Sequence, residues 1–300
     1  MAHWMVALVG EQRIPNYIPV KYSRFRPDNL ILVASNFTTH VATLLTEFLE
    51  PNISCEIVEV DPYDPLNIRT GILSKIHGQT DGNELVINFT GGTKVMSLAA
   101  LEVARMLRCD ALYYQTEGNT SRLWHYRFQG DALRVVGSED ISVTITLDEY
   151  LRLHIGKYDL RPLNDPFEIA VLQILETVGH EVLAGIHPRE LPDKEIDFAI
   201  RIGNQVGIGE IKTSPDARAI GQITNIANRE TLGTYIKKFL IHAKSLHPNN
   251  LDLAHKNNIK TIQLVSFYDH RTLSEHEQDM LKNEIVEAMQ PSSRSAPSSA

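Results

Sequence analysis

Five short runs in the first half of the chain, at residues 4–9, 30–35, 57–60, 85–89 and 111–114, are predominantly apolar and lack a clean polar–apolar alternation. A strand of that composition must be covered on both faces, because alternation is what a half-solvated strand requires. Helical patterns at 39–49, 66–76 and 95–107 lie between several of them. Strand–helix alternation around fully covered strands predicts a doubly wound, mostly parallel α/β sheet. Residues 122–136 read instead as two short strands around Gly130, an antiparallel hairpin at the sheet edge.

At 300 residues the chain has room for two cores. Loss of periodicity, with Pro162 and Pro166, places a connector at 147–165, between a first domain over 1–146 and a second over 166–290. The second half reads as a helix at 166–178 and strands at 181–186, 196–202 and 205–211. A long helical region over about 219–244 follows, then a strand at 261–267 and a helix at 274–289. The last ten residues, 291–300, have the composition of a disordered tail. A net charge of −8 argues against a broad basic coat for nucleic acid, though not against a local basic groove. No apolar run reaches the length of a membrane span, and the N-terminus reads as a strand rather than a signal peptide. Cys55 and Cys109 match no zinc spacing and are expected as reduced core residues of a cytoplasmic protein.

The second half carries Lys-Glu-Ile-Asp197-Phe-Ala-Ile-Arg-Ile-Gly-Asn-Gln-Val-Gly-Ile-Gly-Glu210-Ile-Lys212. Residues two apart in a strand share a face, so Glu210 and Lys212 are neighbours and Ile211 points away. A hairpin through Gly203-Asn204 brings Asp197 to the same end. Two adjacent carboxylates are a hard-oxygen site for Mg²⁺ or Mn²⁺. A lysine beside them can orient water or stabilise phosphoryl charge. Read plainly, Glu-x-Lys is also a common surface pair worth little.

This order of helix, strands and helix resembles the PD-(D/E)xK nuclease core, with Asp197, Glu210 and Lys212 at its motif positions and Ile196 where the family often has proline. The resemblance implies metal-dependent phosphodiester cleavage. It implies Asp197, Glu210 and the Ile211 carbonyl as metal ligands, Lys212 as the water-positioning group, and Glu168 and Gln222 as further catalytic residues from the flanking helices.

In the first half, Asn88-Phe-Thr-Gly-Gly-Thr-Lys-Val-Met-Ser97 follows a strand and opens a helix. Gly91 and Gly92 permit close backbone approach, Thr93 can cap the helix, and Lys94 adds charge where free N–H groups attract phosphate. The spacing is neither a P-loop nor a dinucleotide fingerprint. Loops 10–16 and 35–38 belong on the same edge and could line one anionic-ligand site.

Together with Leu-Val-Gly-Glu-Gln-Arg-Ile-Pro-Asn16 and the Glu-Ile-Lys segment, these motifs resemble the CARF-domain nucleases of type III CRISPR systems. That resemblance implies a Rossmann-like CARF domain followed by a PD-(D/E)xK domain, in a homodimer that binds a cyclic oligoadenylate across its two-fold axis. Cyclic tetra-adenylate is the implied ring, with hexa-adenylate as the alternative. Gln12, Pro15, Asn16, Thr38, Gly91, Gly92, Thr93, Lys94 and Met96 are the implied nucleotide contacts. The implied substrate is single-stranded DNA or RNA, with nicking of duplex DNA as a further activity. A constitutive restriction- or repair-type nuclease and a non-enzymatic sensor remain open readings at this point.

Overall fold

The computed structural model describes residues 2–49, 53–78, 84–117, 120–141, 145–214, 217–228, 231–233 and 235–290. The tail expected at 291–300 lies outside them. The chain divides into two compact units, Met1–Val143 and Thr144–Ala300.

The first unit runs β1 (His3–Leu8), α1 (Ile14–Tyr22), β2 (Asn29–Ala34), α2 (Thr39–Leu49), β3 (Ser54–Glu59), α3 (Pro65–Ile76), β4 (Glu84–Asn88), α4 (Lys94–Leu107), β5 (Asp110–Glu117), β6 (Thr120–Gln129) and β7 (Ala132–Asp140). Its seven-stranded sheet has the order β3-β2-β1-β4-β5-β6-β7. It is parallel from β3 through β5 and antiparallel through β6 and β7. Residues 5–8 and 30–34 are fully buried, which the unbroken apolar runs require. One core face joins Val6, Leu8, Ile31 and Val33 to Ile68, Ile72, Ala100 and Val103 of α3 and α4. Cap chemistry sets the helix starts. Asp64 accepts from the N–H groups of Leu66 and Asn67 at 2.9 and 3.2 Å, ahead of Pro65.

Helix α1 lies partly where the sequence predicts a loop. Pro15 occupies its first turn, where no amide donor is needed, and Pro19 sits inside it. Burial of Tyr17, Ile18 and Val20 offsets that interruption, at ~1.5–3 kcal/mol for each fully buried side chain. Cys55 and Cys109 are half-buried rather than core residues, and neither forms a disulfide.

The second unit runs α5 (Leu147–Ile155), β8 (Tyr158–Leu160), α6 (Pro166–Val178), β9 (Glu181–Pro188), β10 (Ile196–Ile202), β11 (Gln205–Lys212), α7 (Ala217–Ile226), β12 (Lys237–His242), α8 (Pro248–Lys256), β13 (Ile259–Gln263), α9 (Ser266–His270) and α10 (Glu275–Met289). Its six-stranded sheet has the order β13-β12-β11-β10-β9-β8. The β11, β12 and β13 strands are parallel, and β10, β9 and β8 are antiparallel.

Three sequence expectations change here. Residues 147–165, expected as a connector, hold α5, capped by a reciprocal Thr146–Glu149 box, and the edge strand β8. Leu147, Leu151 and Ile155 belong to this unit's core. The long helix expected over 219–244 ends at Ile226, and 237–242 is a central strand. Phe239, Leu240 and Ile241 are fully buried between two parallel neighbours, and such a run has no alternation to separate strand from helix. The strand expected at 261–267 is β13 followed by α9.

Candidate functional site

The β10–β11 ladder extends from Ile202↔Gln205 to Phe198↔Gly209 and stops there. Beyond it, the Ile211 N–H donates to Asp197 Oδ2 at 2.7 Å instead of to a strand carbonyl. The hairpin therefore opens where its two acidic residues stand. Ile196 and Ala199 pack in one core and Phe198 in the other, so side-chain alternation slips around Asp197. Gly209 is required beside it. A Cβ there would lie 2.4 Å from the Phe198 ring and 2.8 Å from the Phe239 carbonyl oxygen.

The opening gathers three charged groups. Lys212 Nζ lies 2.9 Å from Asp197 Oδ2 and 2.8 Å from Glu210 Oε2. Asp197 is 5% exposed and Glu210 is 2% exposed. Burial, then the charge of Asp197, push the Glu210 carboxyl up to about 8. Burial alone would lower the Lys212 ammonium, but Glu210 and Asp197 hold it above its ordinary value. One ammonium shared by two carboxylates does not offset both their burial and their mutual repulsion.

Glu168 stands in the first turn of α6, whose N-cap Asp165 accepts from the Phe167 N–H at 2.7 Å. Asp165 Oδ2 also accepts from Thr213 Oγ1 at 2.8 Å, tying the helix start to the end of β11. Burial, then Asp197 and Asp165, push Glu168 up to about 7, so it shares the electrostatic environment of the cluster. Asp165 is not among the residues that the sequence singles out; its Asp-Pro helix-start signal is the feature that could have found it. Gln222 is exposed on α7 and makes no hydrogen bond to the cluster.

Among the described residues, no three His, Cys, Asp or Glu side chains come together as a metal site. Asp197 and Glu210 are nonetheless a buried carboxylate pair already holding a cationic group between them. With the Ile211 carbonyl, they could hold a hard divalent cation in its place.

In the first unit, the order of strands reverses between β1 and β4, and loops leaving such neighbours toward opposite faces open a crevice. The two loops meet through glycine. A Cβ on Gly91 would lie 2.0 Å from the Leu8 carbonyl oxygen, and one on Gly10 would lie 3.1 Å from the Gly92 nitrogen. Gly92 has φ +73°, a left-handed conformation that favours glycine. Thr93 Oγ1 caps α4 by accepting from the Met96 N–H at 3.1 Å, and donates to the Pro62 carbonyl at 2.7 Å.

The expected nucleotide contacts divide by position. Gly92 and Lys94 are exposed, and Gln12, Pro15, Gly91 and Thr93 are half-buried. The Gln12 Nε2 is enclosed without a hydrogen-bond partner. Asn16 and Met96, each 1% exposed, lie beneath the surface. The Asn16 amide donates to the Leu8 carbonyl at 3.1 Å and so braces the loop. Asn88, a brace that the motif reading leaves out, donates to the Pro15 carbonyl at 3.1 Å and accepts from Thr90 Oγ1 at 2.6 Å. Thr38 is buried and accepts from the Ser35 N–H at 3.0 Å at the start of α2.

Residues 4–150 match the Card1 CARF domain family. Over these residues the first unit is similar to the CARF domain family. Its doubly wound sheet is the Rossmann-like fold expected of the first half. No curated protein matches the chain. Among solved structures, protein VC1899 from Vibrio cholerae superposes with a TM-score of 0.71 at 12% identity, covering 96% of this chain and 99% of that one. Can2 from Sulfobacillus thermosulfidooxidans, in complex with cyclic tetra-adenylate, gives a TM-score of 0.70 at 16% identity, again over 96% and 99%. A type III CRISPR defence DNA nuclease activated by cyclic oligoadenylate gives 0.54 at 14% identity, covering 82% of this chain and 46% of that one. At these identities the likeness is one of fold. Among the described residues, no helix is long and apolar enough to cross a membrane.

Proposed function

We propose that this chain is a metal-dependent endonuclease of CRISPR defence, switched on by a cyclic oligoadenylate bound to its CARF domain. The observation that carries the nuclease reading is the buried Asp197–Lys212–Glu210 cluster at the opening of the β10–β11 hairpin. The Can2 complex and the cyclic-oligoadenylate-activated nuclease support the choice of activator, with cyclic tetra-adenylate preferred over hexa-adenylate. On this reading the second unit is a PD-(D/E)xK domain and the substrate is single-stranded DNA or RNA. The working assembly is a homodimer, since a two-fold ring matches a two-fold interface.

Asp197, Glu210 and the Ile211 carbonyl would hold Mg²⁺ or Mn²⁺. When bound, the cation supplies an acidified water and neutralises charge on the phosphate. Lys212, the ammonium beside both carboxylates, would donate to the attacking water or to a phosphoryl oxygen. Glu168, whose carboxyl is pushed up to about 7 by burial and the charges of Asp197 and Asp165 before a cation binds, can accept or return a proton beside the reaction. Gln222 orients substrate from α7. In the first unit, Gln12, Pro15, Asn16 and Thr38 shape the ring site, with Asn16 and Thr38 acting through the loops they brace. Gly91, Gly92, Thr93, Lys94 and Met96 form or support the phosphate-facing turn. Differential affinity of the ring for the active arrangement sets the degree of activation.

The test is cleavage of labelled single-stranded DNA and RNA in Mn²⁺ with cyclic tetra-adenylate, for wild type and Glu210→Ala. Cleavage by wild type alone is expected; equal cleavage by purified Glu210→Ala would remove the cluster from the chemistry.

A further inference from the structure

Beside the glycine turn of the first unit lies a second feature, an open cavity of about 520 Å³ at the carboxyl ends of β2 and β3. Phe37 and Tyr63 both line it, and each is 71% exposed. A single exposed aromatic is ordinary on a protein surface; two on one cavity present flat apolar faces that a ring could cover. The polar lining is amide and carboxylate: Asn36, Asn67, Glu59 and Asp61. No lysine or arginine lines it among the described residues, and two carboxylates repel phosphate.

The local hydrogen bonds leave defined groups for a ligand. The Asp61 N–H donates to Asn67 Oδ1 at 2.8 Å, and Asp61 Oδ1 accepts from the Tyr63 N–H at 2.9 Å. These bonds fix both side chains and leave the Asn67 amide N–H groups and the second Asp61 oxygen for a ligand. An amide side chain pairs with the adenine edge as donor and acceptor, and a carboxylate accepts from its amino group. The cavity wall is also joined to the phosphate-facing turn, because Thr93, which precedes Lys94, donates to the Pro62 carbonyl at 2.7 Å.

We propose that this cavity is a nucleobase subsite: Phe37 and Tyr63 stack a purine, Asn67 and Asp61 read its edge, and the Gly91–Lys94 turn takes the adjoining phosphate. The inference rests on the cyclic-oligoadenylate reading above and assigns one base of the ring a place in the fold.

The experiment is a binding titration of the full chain with cyclic tetra-adenylate and cyclic hexa-adenylate, each also carrying one 2-aminopurine in place of adenine. Wild type is expected to quench the 2-aminopurine on binding. Phe37→Ala and Tyr63→Ala are each expected to weaken binding about 5- to 150-fold, the range of one stacked base, while Tyr63→Phe keeps wild-type affinity. Both side chains are exposed, so circular dichroism and melting temperature should not change. If wild type binds a ring but both alanine variants bind and quench equally well, the subsite is wrong and the sensor stands. If wild type binds neither ring, the sensor reading and the subsite fall together.

Discussion

The two candidate sites are built from opposite materials. The crevice of the first unit is made of backbone: Gly10, Gly91 and Gly92 bring two loops within contact, and the braces beneath are the neutral amides of Asn16 and Asn88. The site in the second unit is made of charge, with two buried carboxylates sharing one ammonium, at 2.9 and 2.8 Å. The first has no room for an added carbon at Gly91, and the second depends on the charges it gathers. Substitutions in the two should therefore fail in different ways.

The largest separation is expected from Lys212→Met. Cleavage should fall by about a hundred- to a thousandfold or more, while binding of cyclic tetra-adenylate stays at the wild-type level. Parallel loss of ring binding would show that the variant damages the whole chain and not one site. The converse is Gly91→Ala, whose added carbon would sit 2.0 Å from a backbone oxygen. It should lower stability by about 3 kcal/mol and abolish ring binding, read by thermal melting and titration. An unchanged melting temperature would mean the two loops are not locked against each other.

Acidity should distinguish the sites next. In chelator, folded Glu210 keeps its proton up to about 8 and folded Glu168 to about 7, while both release it near 4.5 when unfolded. The folded chain thus binds more protons between these limits, so stability falls as pH rises from about 5 to 8. The raised ammonium of Lys212 adds no slope there, because its ordinary value is 10.5. Glu210→Gln should flatten the melting profile over that window; a profile as steep as wild type would place the titrating group elsewhere. The smallest effect is a control. A Cβ added at Gly221 in α7 would meet nothing within 4 Å, so Gly221→Ala should stabilise by about 0.5–1 kcal/mol, the reverse of Gly91→Ala. Thermal melting of the two variants side by side checks the contrast, and a destabilised Gly221→Ala would remove it.

Legibility in the sequence followed the same division. The parallel sheet could be read because its strands are apolar throughout and its helices are periodic. The charged cluster could be read because hairpin spacing puts Asp197 opposite Glu210 and strand periodicity puts Lys212 beside it. What escaped depended on tertiary context. Strand β12 has a helix-compatible apolar run, and only its two parallel neighbours decide its state. Helix α1 contains two prolines that read as a loop until its buried face is seen. Asn16 and Met96 belong to the right motifs, yet motif membership does not say that both side chains face inward.

On the proposed function, the backbone-built site controls the charge-built one. The most direct test is the rate of single-strand cleavage in Mn²⁺ as cyclic tetra-adenylate is titrated from zero to saturation. The expected result is negligible cleavage without the ring and a saturable rise that parallels ring binding. A cleavage rate that is substantial from the start and unmoved by either ring would contradict it.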